Sequence, residues 1–190
     1  MTWSMPTHPL RWPITGAGGE QVTEIKLRAL TVAEHREAIE SVGKDADSDD
    51  HFEALLLVAS GLPAEVVAKI KRPDWVSLVK IIHEYVTLPA SYFLGVKVTD
   101  PDDAPLLVPI KAQGRVIERL PLQVPTLFAT KAMRKLKTEH ERTDFISSHC
   151  TGIAPAELLQ LSLPDWTQLQ GRLHDFLNKP ADYFPLATSK

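Results

Sequence analysis

The sequence predicts a mainly helical α+β fold made of two repeats, each a β-hairpin followed by about four short helices. Two observations carry this prediction. A segment of 21 residues recurs in the second half of the 190-residue chain, and the same order of alternating and helical patterns precedes each copy. Internal self-similarity fixes the architecture before single elements do, because each repeat is one structural unit. The chain is therefore predicted to hold two copies of a unit of about ninety residues.

The recurring segment spans residues 73–93 and 164–184, at a constant offset of 91 residues, and nine of its 21 positions are identical. Around it, the first unit is predicted to span 8–98 and the second 106–186, joined by a polar, proline-rich linker at 99–105. We call ten of the recurring residues the repeated signature: Asp74, Trp75, His83, Tyr92 and Phe93 in the first copy, and Asp165, Trp166, His174, Tyr183 and Phe184 in the second.

Each unit is predicted to begin with a β-hairpin. A Pro-Ile pair leads into a glycine-containing turn at 16–19 in one copy and at 112–114 in the other. Apolar and polar residues then alternate, which indicates a half-buried strand. The alternating apolar positions are Ile25, Leu27 and Ala29 in the first copy and Leu120, Leu122 and Val124 in the second. Because Pro121 has no backbone donor, its strand is predicted to lie at an edge.

Helices are predicted after each hairpin. Thr31 and Glu34 form a capping box, in which the Thr hydroxyl covers one free amide and the Glu reaches back to another. Thr126 holds the matching place, but Ala129 replaces the glutamate. Gly61 and Gly152 are predicted to end helices by taking left-handed geometry. The predicted middle helices cover 51–59, 64–70, 144–150 and 155–161.

The signature itself predicts the last long helix of each unit. Asp74 and Asp165 are predicted as N-caps, since a short carboxylate accepts hydrogen bonds from free amides of the first turn. Apolar residues follow on one helical face. Pro89 and Pro180 are predicted to stop the helices, after which the Tyr-Phe pair folds back.

Composition limits the classes of function. The net charge of −3 does not favour a nucleic-acid binder, and no apolar run is long enough for a membrane span. Cys150 is the only cysteine, which fits a reducing compartment. The N-terminal segment lacks the basic and apolar regions of a signal peptide. We therefore expect a cytoplasmic protein without nucleic-acid or membrane partners.

No catalytic, metal or cofactor site is predicted. The acidic run Asp45, Asp47, Asp49 and Asp50 lacks the glycine and the bidentate glutamate of a calcium loop, so it is predicted to be a solvated loop. His140, His149, Cys150 and His174 match no zinc spacing, and Cys150 is predicted in the core. No phosphate-binding glycine loop or nucleophile motif is present. The chain is expected not to be an enzyme.

Three features each leave two interpretations open. His83 and His174 are predicted to hydrogen-bond the helix to the following loop, with a proton or metal role as the alternative. The duplicated aromatic residues are predicted to pack in the core and between the domains, with a ligand cage as the alternative. A basic stretch is predicted to be a solvated helix face, with an acidic partner as the alternative; it contains Lys131, Arg134, Lys135, Lys137 and Arg142.

The order of these features resembles a known family. A hairpin with Pro-Ile before a glycine turn leads into Leu27-Arg28-Ala29-Leu30-Thr31, then a helical middle, Ser60-Gly61-Leu62, and the Pro-Asp-Trp helix. In the second copy Thr151-Gly152-Ile153 holds the middle position. This is similar to the small tail assembly chaperones of Mu-like and P2-like contractile-tailed phages, present here as a tandem duplication. The doubling and the acidic insertion at 43–50 depart from the family pattern.

The resemblance implies a non-enzymatic role. Such chaperones are thought to coat the helical tape measure protein before the tail tube polymerises around it, and to be absent from the finished particle. The resemblance also implies tail tube subunits or a longer frameshifted form as further partners. We expect the partner surface to be an apolar groove between the units, which would take an amphipathic helix. The alternatives are a structural tail or baseplate subunit retained in the particle and a DNA-binding regulator.

Overall fold

The computed structural model describes residues 3–43, 45–95 and 97–185. It contains two antiparallel β-hairpins, each followed by several helices, as predicted. The first unit contains β1 (His8–Thr15), β2 (Gln21–Ile25), α1 (Val32–Val42), α2 (Ser48–Ser60), α3 (Ala64–Val67), α4 (Arg72–Thr87) and α5 (Ala90–Leu94). The second contains β3 (Asp103–Ala112), β4 (Arg115–Pro121), α6 (Leu127–Met133), α7 (Glu139–Thr151), α8 (Pro155–Leu158), α9 (Leu163–Asn178) and a 3₁₀ helix (Ala181–Tyr183).

The hairpins form two separate two-stranded sheets, and both are irregular at the same place. In the first sheet the register shifts between Pro9 and Ile14, and in the second it shifts between Pro105 and Ile110. The strand ladder is therefore interrupted just before each Pro-Ile pair. Backbone amides in these interruptions need acceptors other than the neighbouring strand.

The alternating segments are shorter strands than predicted, since β2 ends at Ile25 and β4 at Pro121. The backbone beyond them bonds to helix ends instead of to a strand. The Arg28 amide donates to the Ala59 carbonyl (2.9 Å), and the Gln123 amide donates to the Cys150 carbonyl (2.8 Å). These carbonyls lie in the last turns of α2 and α7, where no intrahelical donor is available. The alternation there belongs to a coil along a helix end, buried at Leu27 and Leu30 in the first unit and largely exposed in the second.

The helix termini follow the predicted caps, but two helices begin earlier than predicted. The capping box of Thr31 and Glu34 is present, and Gly61 and Gly152 are left-handed. We predicted starts at 51 and 144, whereas α2 begins at Ser48 and α7 at Glu139. The reason is local capping: Asp47 with Asp50, and Thr138 with Glu141, form capping boxes of their own. The acidic run therefore contributes a helix N-terminus.

We predicted that the basic stretch lies on one helix, and this prediction is wrong. Lys131 is on α6, which ends at Met133, and the residues that follow form the connection to α7. Arg142, on α7, donates to the carbonyls of Leu136 (2.8 Å) and Lys137 (3.3 Å) in that connection. The connection breaks the predicted continuous face, and Arg142 instead stabilises the turn.

The two units share one hydrophobic core. Buried residues of both units, among them Leu30 and Tyr85 of the first and Leu161 and Leu173 of the second, form one contiguous cluster. The helices α4 and α9 pack against each other. The predicted linker at 99–105 is partly strand, since β3 begins at Asp103. None of the helices in the described ranges is long and apolar enough to cross a membrane.

Cys150 lies in this core, as predicted, with no exposed surface. Burial raises the pKa of its thiol to about 11, so at pH 8 about one thiol in a thousand is ionised. Because the thiolate is the reactive form, we expect Cys150 in the native protein to resist alkylation at pH 8 and to react at once in denaturant. Mass spectrometry after timed iodoacetamide treatment measures this. Rapid labelling of the native chain would contradict the burial.

Candidate functional site

The two signature aspartates join the last long helix of each unit to its hairpin. Asp74 accepts from the amides of Arg11 (3.0 Å) and Trp12 (3.2 Å), where the β1–β2 ladder is interrupted. Asp165 accepts from the amides of Leu107 (2.6 Å) and Val108 (3.2 Å). Each carboxylate therefore supplies the acceptors that the neighbouring strand does not provide.

The prediction that these aspartates are N-caps is wrong. The N-cap residues are Lys71 for α4 and Ser162 for α9, so each aspartate is the third residue of its helix. The Ser162 hydroxyl accepts from the Asp165 amide (3.3 Å) and donates to the Asp165 carboxylate (2.6 Å). The helices start earlier because proline fits the first turn, where its missing amide costs nothing. The carboxylates are then free to turn towards the hairpins.

The two equivalent carboxylates differ in electrostatics. Burial acts to raise the pKa of Asp74, but hydrogen bonds from the Arg11 and Trp12 amides, and from His8 at 3.4 Å, outweigh it and lower the pKa. Burial raises the pKa of Asp165, and the hydrogen bonds from Ser162, Leu107 and Val108 offset it only in part. Both carboxylates are buried, but the amides of Arg11 and Trp12 are closer to solvent than the amide of Leu107.

The two signature tryptophans have different surroundings. Trp75 is half-buried, and its indole NH donates to Asp49 (3.3 Å), which also pairs with Arg72 (2.6 Å). Trp166 lies between the units, where the guanidinium of Arg36 is 5.6 Å from its ring centroid. Only the second tryptophan is therefore covered by the other unit.

The signature histidines do not make the predicted bond to the following loop. The ring of His83 packs edge-on against Phe52 of α2, with centroids 6.2 Å apart. His174 contacts the amide of Asn178 in its own helix (3.2 Å). Thr143 stands where the first unit has Phe52, at the offset of 91, and a groove of about 290 Å³ opens beside His174. The smaller side chain explains the opening.

The Tyr-Phe pairs pack onto the ends of the last long helices, at the edge of the core and not inside it. Phe93 contacts Tyr85 and Trp3, with ring centroids 6.1 Å and 5.4 Å away. Phe184 lies 5.0 Å below the guanidinium of Arg172, which also covers Phe176. Tyr92 and Tyr183 are more than half exposed. These rings form two packed clusters around single helix ends.

The units meet where the start of α1 lies on the α8–α9 junction. Val32 and Ala33 donate their amides to the carbonyls of Leu161 and Leu159, both at 3.0 Å. The Leu163 amide donates back to the Leu30 carbonyl (3.3 Å), and Thr31 forms an isolated bridge with Ser162.

An ion pair crosses this junction, and a buried hydrogen bond fixes the segment beside it. Arg36 forms a bidentate pair with Asp144 of α7, with N–O distances of 2.7 and 2.8 Å. The hydroxyl of Tyr85, on α4, donates to the Leu30 carbonyl (3.0 Å) inside the core. The units are therefore docked through paired backbone groups and an ion pair, and the Tyr85 hydroxyl holds the Leu30 segment in place within the first unit.

A cavity of about 310 Å³ lies between the units, beside the signature residue Tyr183. Its lining combines Val98, Pro101 and Ala104 with Gln168, Arg172 and Asp175. A larger opening, of about 480 Å³, lies within the first unit, between α1 and α2. Sequence reasoning missed it, although the longer first helix and the insertion at 43–50 signalled a local difference.

The α1–α2 groove has an apolar floor and an acidic edge. Its floor contains Ala38, Ala54, Leu57 and Val58, and its edge contains Ser41, Val42, Asp50 and Glu53. Ser41 and Val42 belong to the last turn of α1, which α6 lacks because it ends at Met133. The groove therefore suits an amphipathic helix with an apolar stripe and basic flanks.

Within the described residues, no group of three or more His, Cys, Asp or Glu side chains is arranged to hold a metal ion.

Comparison with known proteins agrees with this architecture. No curated protein and no solved structure matches the chain. A family model described as phage tail assembly chaperone proteins, E, or 41 or 14, matches residues 7–86 and again residues 104–178. The chain therefore belongs to the family of phage tail assembly chaperone proteins, and it carries the family's unit twice.

Proposed function

We propose that the chain binds the tape measure protein and keeps it soluble while the phage tail assembles in the host cytoplasm, without catalysing a reaction. Membership of the tail assembly chaperone family supports the process. The observation that supports the mode of binding is the apolar α1–α2 groove with its acidic edge. A long helical protein exposes repeated apolar stripes, and such stripes aggregate unless a partner covers them.

Co-expression tests this proposal. The chain is affinity-captured from cells that also make the candidate tape measure protein, and the soluble fraction of that protein is measured with and without the chain. We expect co-purification and a larger soluble fraction. Absence of capture, together with the chain in purified tails, would contradict the proposal and assign it to a structural subunit.

A substitution at the groove edge tests the mode of binding. Val42→Lys replaces an apolar contact at the groove edge by a long cation. We expect capture of the tape measure protein to fall by about tenfold, because the cation would repel the basic flanks of the docked helix. Val116→Lys, at an exposed position on β4, is the matched control and should leave capture unchanged. Equal capture by both variants would place the partner elsewhere.

A further inference from the structure

The duplication gives the chain two copies of each surface that forms the junction between the units. The start of α1 and the α8–α9 junction cover each other within the chain. Their counterparts are the start of α6 and the α3–α4 junction, and both remain open to solvent. We call the first the donor face, formed by Leu127, Phe128 and Lys131, and the second the acceptor face, formed by Glu53, Ala68, Ile70 and Trp75.

The donor face is unusually apolar for a solvent-exposed surface. Leu127 is 69% exposed and Phe128 is 83% exposed. At the offset of 95 residues, Leu127 corresponds to Val32, which is only 2% exposed because it lies in the junction. Adjacent exposed leucine and phenylalanine side chains at one helix start favour a binding surface.

The acceptor face is a groove of about 250 Å³ in the first unit. At the offset of 91 residues, Ile70 corresponds to Leu161, which is completely buried under α1. Ala68 corresponds to Leu159, which accepts the Ala33 amide. Arg72 lies at the edge and is already paired with Asp49 (2.6 Å), so a docked segment would not meet an unpaired charge there.

The side chains of the two open faces complement each other by size. Within the chain, the small Ala33 bonds through its backbone to the large Leu159. Between the open faces, the large Phe128 would meet the small Ala68, so the volumes are exchanged. Conserved total volume is what a packed interface tolerates best.

The charges of the two faces complement each other as well. Within the chain, Arg36 pairs with Asp144 and lies over the ring of Trp166. The corresponding residues of the open faces are Lys131, Glu53 and Trp75. The two open faces together therefore carry the same three kinds of group as the junction: a cation, a carboxylate and an indole.

A second contact follows from the same relation. Within the chain, the Thr167 hydroxyl on α9 donates to the Val86 carbonyl on α4 (3.3 Å). The corresponding open residues are Val76 and Leu177, and both are exposed apolar side chains. Repeating the junction between two chains would cover this pair too.

From these correspondences we infer that copies of this chain associate head to tail, the donor face of one chain docking on the acceptor face of the next as α1 docks on the α8–α9 junction. The contact is heterologous, because the two faces differ. Repetition of a heterologous contact produces an open series or a closed ring, depending on the rotation per step.

Charge reversal on the two faces tests the inference. Lys131→Glu places two carboxylates opposite each other in every contact, and Glu53→Lys places two ammonium groups there. Sedimentation velocity over about two decades of micromolar concentration should show the full chain growing beyond a dimer. Each variant alone should associate about tenfold more weakly. The control Val116→Lys should behave like the unchanged chain.

Mixing the two variants makes the test decisive. In an equal mixture, the acidic donor face of the Lys131→Glu variant can meet the basic acceptor face of the Glu53→Lys variant. The opposite contact is the original one, between Lys131 and Glu53. Association should therefore return to within about threefold of that of the unchanged chain, and the return would also show that both variants are folded.

Two outcomes would overturn the inference. The first is a chain that stays monomeric at every concentration, and the second is association that neither reversal weakens. If the chain is monomeric and Lys131→Glu abolishes capture of the tape measure protein, the donor face belongs to that partner.

Discussion

Replacing Asp165 by alanine is expected to lower the free energy of unfolding by about 3 kcal/mol. The substitution removes the acceptor for the amides of Leu107 and Val108 and for the Ser162 hydroxyl. Asp165 is 2% exposed, so water cannot easily replace the carboxylate. Buried donors without a partner carry their full desolvation cost. Urea denaturation followed by circular dichroism measures the change.

The first unit supplies the matched control. Asp74→Ala removes the same helix-to-hairpin contact, but the amides of Arg11 and Trp12 are closer to solvent. We expect this variant to lose about 1 kcal/mol. Asp165→Asn, which keeps one acceptor oxygen, should fall between the two alanine variants. Equal losses for Asp74→Ala and Asp165→Ala would mean that the depth of the contact does not set its contribution.

Replacing Leu161 by alanine is expected to cost about 3 kcal/mol, the usual range for a buried leucine whose removal leaves a cavity. Leu161 has no exposed surface and lies at the junction between α1 and the α8–α9 turn. Because the two units share one core, the whole chain should still unfold in a single, shifted transition. Thermal and urea unfolding monitored by tryptophan fluorescence and by circular dichroism test whether the two probes coincide.

Ile70 is the equivalent position in the first unit, and it is only half-buried. Ile70→Ala should therefore cost about 1 kcal/mol or less at the lowest protein concentration. Two separate transitions, with only one shifted by Leu161→Ala, would show that the units fold independently and would contradict the shared core.

Much of the fold follows from local sequence patterns. The capping box of Thr31 and Glu34, the left-handed Gly61 and Gly152, and the prolines after α4 and α9 act within a few residues, so the sequence predicts them directly. The duplication then transfers each prediction from one copy to the other. The predicted ranges of α2 and α7 are too short, because the capping residues lie a turn before the apolar pattern begins.

Tertiary contacts account for what was missed. An aspartate before an apolar helix is typical of an N-cap, and the sequence does not reveal that Asp74 and Asp165 serve hairpin amides brought close by folding. The same holds for the two tryptophans, which are identical in sequence context but covered in one unit only. The start of α1 is covered because the other unit lies beside it, and the start of α6 is exposed because no unit lies there.

The hydroxyl of Tyr85 and the contact between the start of α1 and the α8–α9 junction have a consequence for the evolution of the chain. Phe176 stands at the matching place in the second copy and has no hydroxyl, so the buried bond of the first unit has no counterpart in the second. Deleting either half would expose the Leu30 segment and Tyr85, or Leu161 and its neighbours, to water. Loss of one copy would therefore be costly, because a descendant with a single unit would need new polar side chains where the junction is now buried.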